Sequence, residues 1–494
     1  MVVVLALCRA CGLRVLGLRL VGHGANLREP HGPPARTTVA RVEDVDTTLQ
    51  DTTVRRLRDI AIDRQRTGRV PGLAAAVVRH GAPVWSDGVG TVDVTAPRVP
   101  GPDDQFLVAS NTKTFTAVLV MALRDEGRLD LDDTLDQHLP EVRHRVTVRQ
   151  ALSHATGLAR EPLGDVWETL VQPDAATLVS DFSSIERVGR PHEHWHYSNV
   201  VYAVLGQLVE RLDGRPWEES LRARILEPLG MTRTTVGFDD GPRATGYHVQ
   251  PFHDVPRVEP VVDLRAMGPC GALASTVTDL AKWSGFVADP DAAILSPDTL
   301  EEMCQPQLMV DPEGWGGAMG LGFFLMRSPG QRTWVGHTGG MPGQVTGVFT
   351  HRESGTGGIV LMNSSSAPDP AAFAIALGEH VLEHDPAEAE PWRPGTSVPD
   401  DLVPLLGRWF SEGSGYTFSV REGRLEARAD AAPADRAPSV FERLDDTTFR
   451  TVSGRERGEK LRVTYAPDGT VVKLNWATYL VSRAPLGFGE PLEG

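Results

Sequence analysis

Lysine is nearly missing from this chain: of 49 basic side chains only Lys113, Lys282, Lys460 and Lys473 are lysines, and the rest are arginines. The bias suggests a GC-rich, actinobacterial kind of coding. It also means that each lysine invites a chemical reason, because an amine can release its proton and a guanidinium cannot. Cysteine is scarce as well, with Cys8, Cys11, Cys270 and Cys304 the complete set, so a secreted disulfide framework is excluded. Cys8-Arg-Ala-Cys11 has CxxC spacing, but no second Cys or His pair follows to complete a zinc site, and the segment reads as free thiols in a frayed end. No apolar run approaches the ~18 residues of a membrane span. The first thirty or so residues are apolar but interrupted by Arg9, Arg14 and Arg19, with no basic region ahead and no small-x-small cleavage site, which makes a poor signal peptide. Residues 1–45 are therefore expected to be a disordered leader on a cytoplasmic protein. Positive charge is in deficit too: 65 acidic against 49 basic residues leave a net charge of −16, a field that repels phosphate backbones and anionic lipid and so makes nucleic acid and membrane surfaces poor partners.

The rest of the composition is that of a globular protein, 41% hydrophobic and 23% charged, and 494 residues are enough for two or three domains. A helical pattern covers Leu49 to Arg66, and Leu73–Arg79 with Val84–Val89 read as a hairpin around His80-Gly81. Residues 106–126 read as one helix that stops at Gly127, a left-handed cap. Helices alternate with Gly- and Pro-marked loops from about 146 to 290, and strands follow over 332–363. Pro386, Pro391, Pro394 and Pro399 then punctuate a stiff acidic linker over 386–401. Beyond it, YTFSV, RLEAR, TFRTV, LRVTYA, VVKLNW and TYLVSR are short, partly alternating runs separated by turn residues such as Asp468-Gly469. They predict a small antiparallel barrel or sandwich over 402–494. The expected domains are thus 46–385 and 402–494.

Ser110-Asn111-Thr112-Lys113 opens the helix NTKTFTAVLVMALRDEG. Residues three apart share a helix face, so hydroxyl and amine can meet. The positive end of the helix and burial of its apolar body both favour an uncharged amine that accepts the serine proton. Alone, Ser-x-x-Lys describes an ordinary N-cap equally well. Two further pieces shift the balance. Tyr197 and Asn199 stand two apart just ahead of another helix, where a phenol can relay protons and an amide can grip the lysine and a substrate carbonyl. On a predicted strand, His337 can position that phenol or a substrate carboxylate. Thr338, Gly339 and Gly340 follow it, and the glycines let a substrate backbone lie against the strand edge.

Ser110-x-x-Lys113, Tyr197-x-Asn199 and His337-Thr338-Gly339, in that order, resemble the three signatures of the serine β-lactamase and penicillin-binding-protein (DD-peptidase) superfamily. TVRQALSHATGL, RILEPLGMTRT and GALASTVTDLAKW look like connecting segments of its class C β-lactamase-like branch, so the similarity covers about residues 55–380. The resemblance implies an α+β fold: an antiparallel sheet flanked by helices plus an all-helical subdomain, followed here by a small antiparallel β-barrel. It implies that Ser110 attacks the carbonyl, Lys113 and Tyr197 carry the proton, Asn199 orients substrate, and the backbone N–H groups of Ser110 and Gly340 form an oxyanion hole, with no metal or other cofactor. His337 departs from the lysine of β-lactamases, which argues against an efficient β-lactamase. The C-terminal module resembles the lipocalin-like domain of D-aminopeptidase-like proteins and of penicillin-binding-protein-type thioesterases.

Other residues receive plainer readings. His192, His194 and His196 alternate, but no carboxylate or cysteine cluster completes a metal site, so they read as loop or cleft lining. His154 is structural, Ser275-Thr276 with Asp279 a helix cap, and Cys270 a packed thiol near the cleft. Trp195 and Trp334 fit pocket and core equally. The leading function is a serine hydrolase or acyltransferase, D-stereoselective, acting on peptide amide, ester or thioester carbonyls. Its sharpest form is a thioesterase that releases or cyclises nonribosomal peptides delivered by a carrier protein. The rivals are a D-aminopeptidase or DD-carboxypeptidase-like hydrolase, a class C-like esterase, and a catalytically silent sensor. Oligomeric state is not readable from the sequence.

Overall fold

A computed structural model describes residues 48–387, 392, 394–433 and 436–492, so the leader, its two cysteines and part of the Pro-marked linker lie outside the described residues. The chain divides into two compact units after Ala387.

The first unit is built on an eight-stranded antiparallel sheet. Its strands are β1 (Gly72–Arg79), β2 (Ala82–Gly90), β3 (Leu308–Met309), β4 (Gly317–Met319), β5 (Phe324–Arg327), β6 (Thr333–Met341), β7 (Gln344–His351) and β8 (Thr356–Met362), in the spatial order β2-β1-β8-β7-β6-β5-β4-β3. Helices α1 (Asp51–Thr67) and α5 (Pro370–His384) cover one face, and α4 (Val277–Ala288) packs on the other. Because both faces are covered, β1 and β8 are buried at every position. Leu73, Ala75 and Val77 enter the core with Leu57, Phe373 and Leu377, whereas Ala74, Ala76 and Val78 enter the core shared with α2 (Thr112–Asp125) and α3 (Asn199–Asp213). Side chains alternate across a strand, so one run of apolar residues feeds two cores. Short helices, Leu135–His138, Val148–Leu152, Ala175–Phe182 and Trp217–Leu221 among them, surround α2 and α3 as a helical lobe.

One expectation needs correction. Residues 106–126 are not a single helix: Phe106–Leu107 pair as a short strand with Ala274–Ser275, Ala109–Asn111 form a 3₁₀ turn, and α2 starts only at Thr112. Ala109 stands at φ +48°, a left-handed conformation that breaks helical continuity one residue before Ser110. An apolar run cannot by its pattern distinguish a strand that feeds a helix from the helix itself. At the other end, Gly127 takes φ +72° just past the helix.

The second unit is a closed antiparallel barrel of eight strands in sequential order: β9 (Gly407–Ser411), β10 (Ser414–Arg421), β11 (Arg424–Ala429), β12 (Ser439–Arg443), β13 (Thr448–Thr451), β14 (Lys460–Tyr465), β15 (Val471–Trp476) and β16 (Tyr479–Ser482). Phe410 opposite Ser482 closes it. Closure removes sheet edges that would otherwise seek partners. The interior holds Trp409, Phe418, Phe441, Phe449, Leu461, Leu474 and Trp476. Among the described residues no helix is long and apolar enough to cross a membrane.

Candidate active site

Ser110 sits in the turn between its short strand and α2, one helical turn ahead of Lys113. The Lys113 side chain is fully buried, and its Nζ lies 3.1 Å from Ser110 Oγ, 2.8 Å from Asn199 Oδ1 and 2.7 Å from the Cys270 carbonyl oxygen. The amine thus meets three acceptors from three separate segments. Its Nζ also stands 4.8 Å from the Tyr197 ring centroid and 5.6 Å from that of Tyr202, while the Arg160 guanidinium faces Tyr197 at 5.0 Å. Tyr197 is therefore a phenol ring set between an amine and a guanidinium. Asn199 opens α3, and the Arg160 carbonyl accepts the backbone N–H groups of Asn199 and Val200 at 2.7 and 3.2 Å, satisfying two otherwise unpaired donors at that helix end.

The third motif lies on β6. A Cβ on Gly339 would fall 2.1 Å from the Val108 carbonyl oxygen and 2.5 Å from Thr346 Oγ1, so only glycine lets this strand press against the turn that carries Ser110. A Cβ on Gly340 would meet nothing within 4 Å, because that residue faces the open cleft. His337 is 1% exposed. Burial, with Lys113 nearby, pulls its imidazole down to about 3, so the ring is neutral. Its Nδ1 lies 2.5 Å from the Thr338 carbonyl, which can only accept; the proton therefore sits on Nδ1, and Nε2 is a buried acceptor without a partner among the described residues. His154 is the converse. Its Nδ1 accepts the Ser198 N–H at 3.1 Å, so Nε2 carries the hydrogen, again buried without a partner among the described residues. Burial first, then Lys113, holds this imidazole well below its usual range. The two rings flank Tyr197, at 4.3 Å for His154 and 6.1 Å for His337 between centroids.

Trp195 packs edge-on against His154 and lies 5.9 Å from both Tyr197 and Phe324, behind the phenol. Trp334 belongs to the core, its indole N–H on Glu379. Thr276 caps α4, its side chain accepting the Asp279 N–H at 3.2 Å. Cys270 is buried beside the cleft, with its thiol pushed up by desolvation. His192 and His194 lie on exposed turns rather than on a strand, and among the described residues no group of three His, Cys, Asp or Glu could hold a metal ion.

Sequence reasoning missed three residues. A cleft of about 460 Å³ beside Ser110 and Gly340 is lined also by Arg160, Glu161 and Gln172. Glu161 Oε1 accepts Asn199 Nδ2 at 2.7 Å, which extends the chain Ser110–Lys113–Asn199 to a carboxylate. These residues come from loops with no periodic signal; a charged pair in ATGLAREPLG, close behind the buried SHA segment, was the only available hint.

A sheet covered on both faces, a helical lobe, and a serine and lysine at their junction with a tyrosine and a glycine-bearing edge strand define the serine β-lactamase and penicillin-binding-protein type of fold. The chain belongs to the Beta-lactamase family, whose model matches residues 52–382. A second model, a domain of unknown function (DUF7586), matches 398–483. Among curated proteins, the chain is 29% identical over 376 residues to penicillin-binding protein 4 of Amycolatopsis lactamdurans, covering 70% of this chain and 94% of that one. It is 27% identical over 284 residues to β-lactamase-like protein 2 of Dictyostelium discoideum, covering 54% of this chain and only 51% of that one. Among solved structures, the octameric penicillin-binding protein homologue from Pyrococcus abyssi aligns at TM-score 0.60 and 25% identity, over 87% of this chain and 100% of its own. A D-stereospecific amidohydrolase from Streptomyces sp. aligns at TM-score 0.55 and 25% identity, over 67% and 98%. These relatives share the β-lactamase and penicillin-binding-protein type of fold with this chain.

Proposed function

We propose that this protein is a serine acyl-transfer enzyme that forms an acyl-enzyme on Ser110, with D-configured peptide amides, esters or thioesters as donors. The observation that carries the reading is the buried Lys113 amine 3.1 Å from Ser110 Oγ, held by Asn199 and the Cys270 carbonyl. Lys113 takes the serine proton as Oγ bonds to the carbonyl carbon, and Tyr197 with Lys113 returns it to the leaving nitrogen, oxygen or sulfur as that bond breaks. Backbone N–H groups of Ser110 and Gly340 receive the oxyanion, a donor pair worth ~3 kcal/mol per member. Water, or an amine of the substrate, then releases the acyl group. The D preference draws support from the Streptomyces amidohydrolase. The neutral, buried His337 supplies no cation for a substrate carboxylate, which favours uncharged leaving groups over the terminal carboxylate of a carboxypeptidase substrate. The peptide-releasing or cyclising thioesterase is the same chemistry with a peptidyl thioester as donor.

Incubation with a fluorescent penicillin, p-nitrophenyl acetate and a D-peptidyl thioester, followed by mass spectrometry, should place an adduct on Ser110. Cyclic product from the thioester selects the cyclase and free acid the hydrolase, whereas no adduct from any donor leaves a silent sensor. Lys113→Arg should lower acylation by about 10²–10⁴-fold although the charge is kept; full activity in that variant would remove lysine from the mechanism.

A further inference from the structure

The cleft holds a carboxylate and an amide that the acyl-transfer chemistry does not use. Glu161 Oε1 accepts Asn199 Nδ2 at 2.7 Å and Arg160 Nε at 3.3 Å, while among the described residues Oε2 has no hydrogen-bond partner. The Glu161 side chain is 26% exposed and Arg160 is 62% exposed, so the carboxylate lies deeper than the guanidinium beside it. Gln172 is 2% exposed and lines the same cleft, yet among the described residues its Nε2 has no partner. A buried amide donor left unmatched costs about 1–3 kcal/mol, so its natural partner is an acceptor that arrives with a ligand. Trp167, Leu264, Met267 and Met341 make up an apolar wall of the cleft.

We propose that this cleft is an amine-recognising subsite, in which Glu161 selects acyl donors with a free amino group close to the reacting carbonyl. Resting on the reading of Ser110 as nucleophile, it narrows the donors to aminoacyl and short peptidyl derivatives with an unblocked N-terminus. With the carbonyl at Ser110, the ammonium meets Glu161 Oε2, an acceptor or carbonyl further along the donor takes the Gln172 N–H, and the apolar side chain lies against Trp167 and the methionines. The charged groups around the cleft fit this polarity. Arg160 is engaged with Glu161 and stacked on Tyr197, and Lys113 is spent on Ser110, Asn199 and Cys270, which leaves Glu161 as the charge with an open lone pair facing the cavity. An N-acylated donor brings no cation to that oxygen and leaves Oε2 desolvated without a partner of its own.

The test compares kcat/KM for two matched pairs, D-phenylalanine p-nitroanilide with its N-acetyl form and D-phenylalanyl-D-phenylalanine p-nitroanilide with its N-acetyl form. The wild type should prefer the free amine by at least about tenfold in one pair. Glu161→Gln keeps an oxygen for Asn199 but loses the charge, and should bring that ratio close to one. Equal or better turnover of both acetylated donors, or a ratio that survives Glu161→Gln, overturns the subsite. Parallel acylation by p-nitrophenyl acetate separates the two proposals. Ser110 acylated without any amine preference removes the subsite alone, and Ser110 inert to every donor removes the nucleophile and the subsite with it.

Discussion

The large sheet and the barrel hide their apolar side chains by opposite rules. Every residue of β1 and of β8 is buried, because helices cover both faces of that sheet. In the barrel strand β14, Leu461 and Val463 are buried while Lys460, Arg462, Thr464 and Tyr465 are exposed, because only the inner face is covered. The period of the pattern therefore reports how many faces a strand has to hide, and not simply that a strand exists. The two regions also keep their polar groups differently. The barrel interior is closed by aromatic and aliphatic packing. In the first unit, by contrast, a lysine and two histidines are buried at the junction between sheet and helical lobe.

Substitutions can sharpen or break this contrast. The largest stability effect is expected at Trp409, which is fully buried, donates its indole N–H to the Leu405 carbonyl at 2.7 Å and lies under the Arg483 guanidinium at 3.7 Å. Trp409→Ala should remove about 3–5 kcal/mol from the barrel, a large share of what a domain that small possesses. Calorimetry would show it as a lowered barrel transition, and an unchanged one would mean that aromatic packing is not what holds the barrel together. A smaller stability loss but a selective activity loss is expected for Gly339→Ala, whose new methyl must push β6 away from the Val108 carbonyl. An ångström of displacement there should lower Ser110 acylation by about 10²-fold. Gly340→Ala, with open space around its Cβ, should keep the wild-type melting temperature; equal destabilisation by both would refute the close approach of β6 as the reason for glycine.

The smallest effect is a pH dependence. His337 is held at about 3 when folded, below its unfolded value near 6.5. Above about pH 6.5 it is neutral in both states and makes no difference. As pH falls toward 3 the unfolded chain takes up a proton that the folded chain refuses, so this group lowers stability progressively. His337→Gln lacks that penalty. Urea unfolding at about pH 7.5 and about pH 5 should show stability shifting in favour of the variant on acidification, and a constant difference would mean that the ring is not neutral in the fold.

Legibility followed the range of the interactions involved. The hairpin at 72–90 and the strand region at 333–362 are local patterns and could be read. So could six of the eight barrel runs; Gly407–Ser411 and Ser439–Arg443 escaped because each follows closely on a Pro-marked connection that masks where the run begins. The overextended helix at 106–126 failed where Ala109 takes a left-handed conformation, which no propensity announces. Arg160, Glu161 and Gln172 were invisible because their place in the cleft depends on loop contacts, such as the Asn199 amide on Glu161, that join residues 38 positions apart or more only after the lobe has packed.

From its letters alone this protein had already settled that a hydroxyl and an amine stand one helical turn apart, and that its last ninety or so residues form short antiparallel strands of a small barrel or sandwich. Both follow from backbone geometry within a few residues. Packing of sheet against lobe decided the rest. It brought Tyr197, Asn199 and the glycines of β6 to that hydroxyl, stripped His337 of water and hence of its charge, and turned Glu161 into the cleft. Burial and the meeting of distant segments are properties of the assembled surfaces, and no local pattern encodes them.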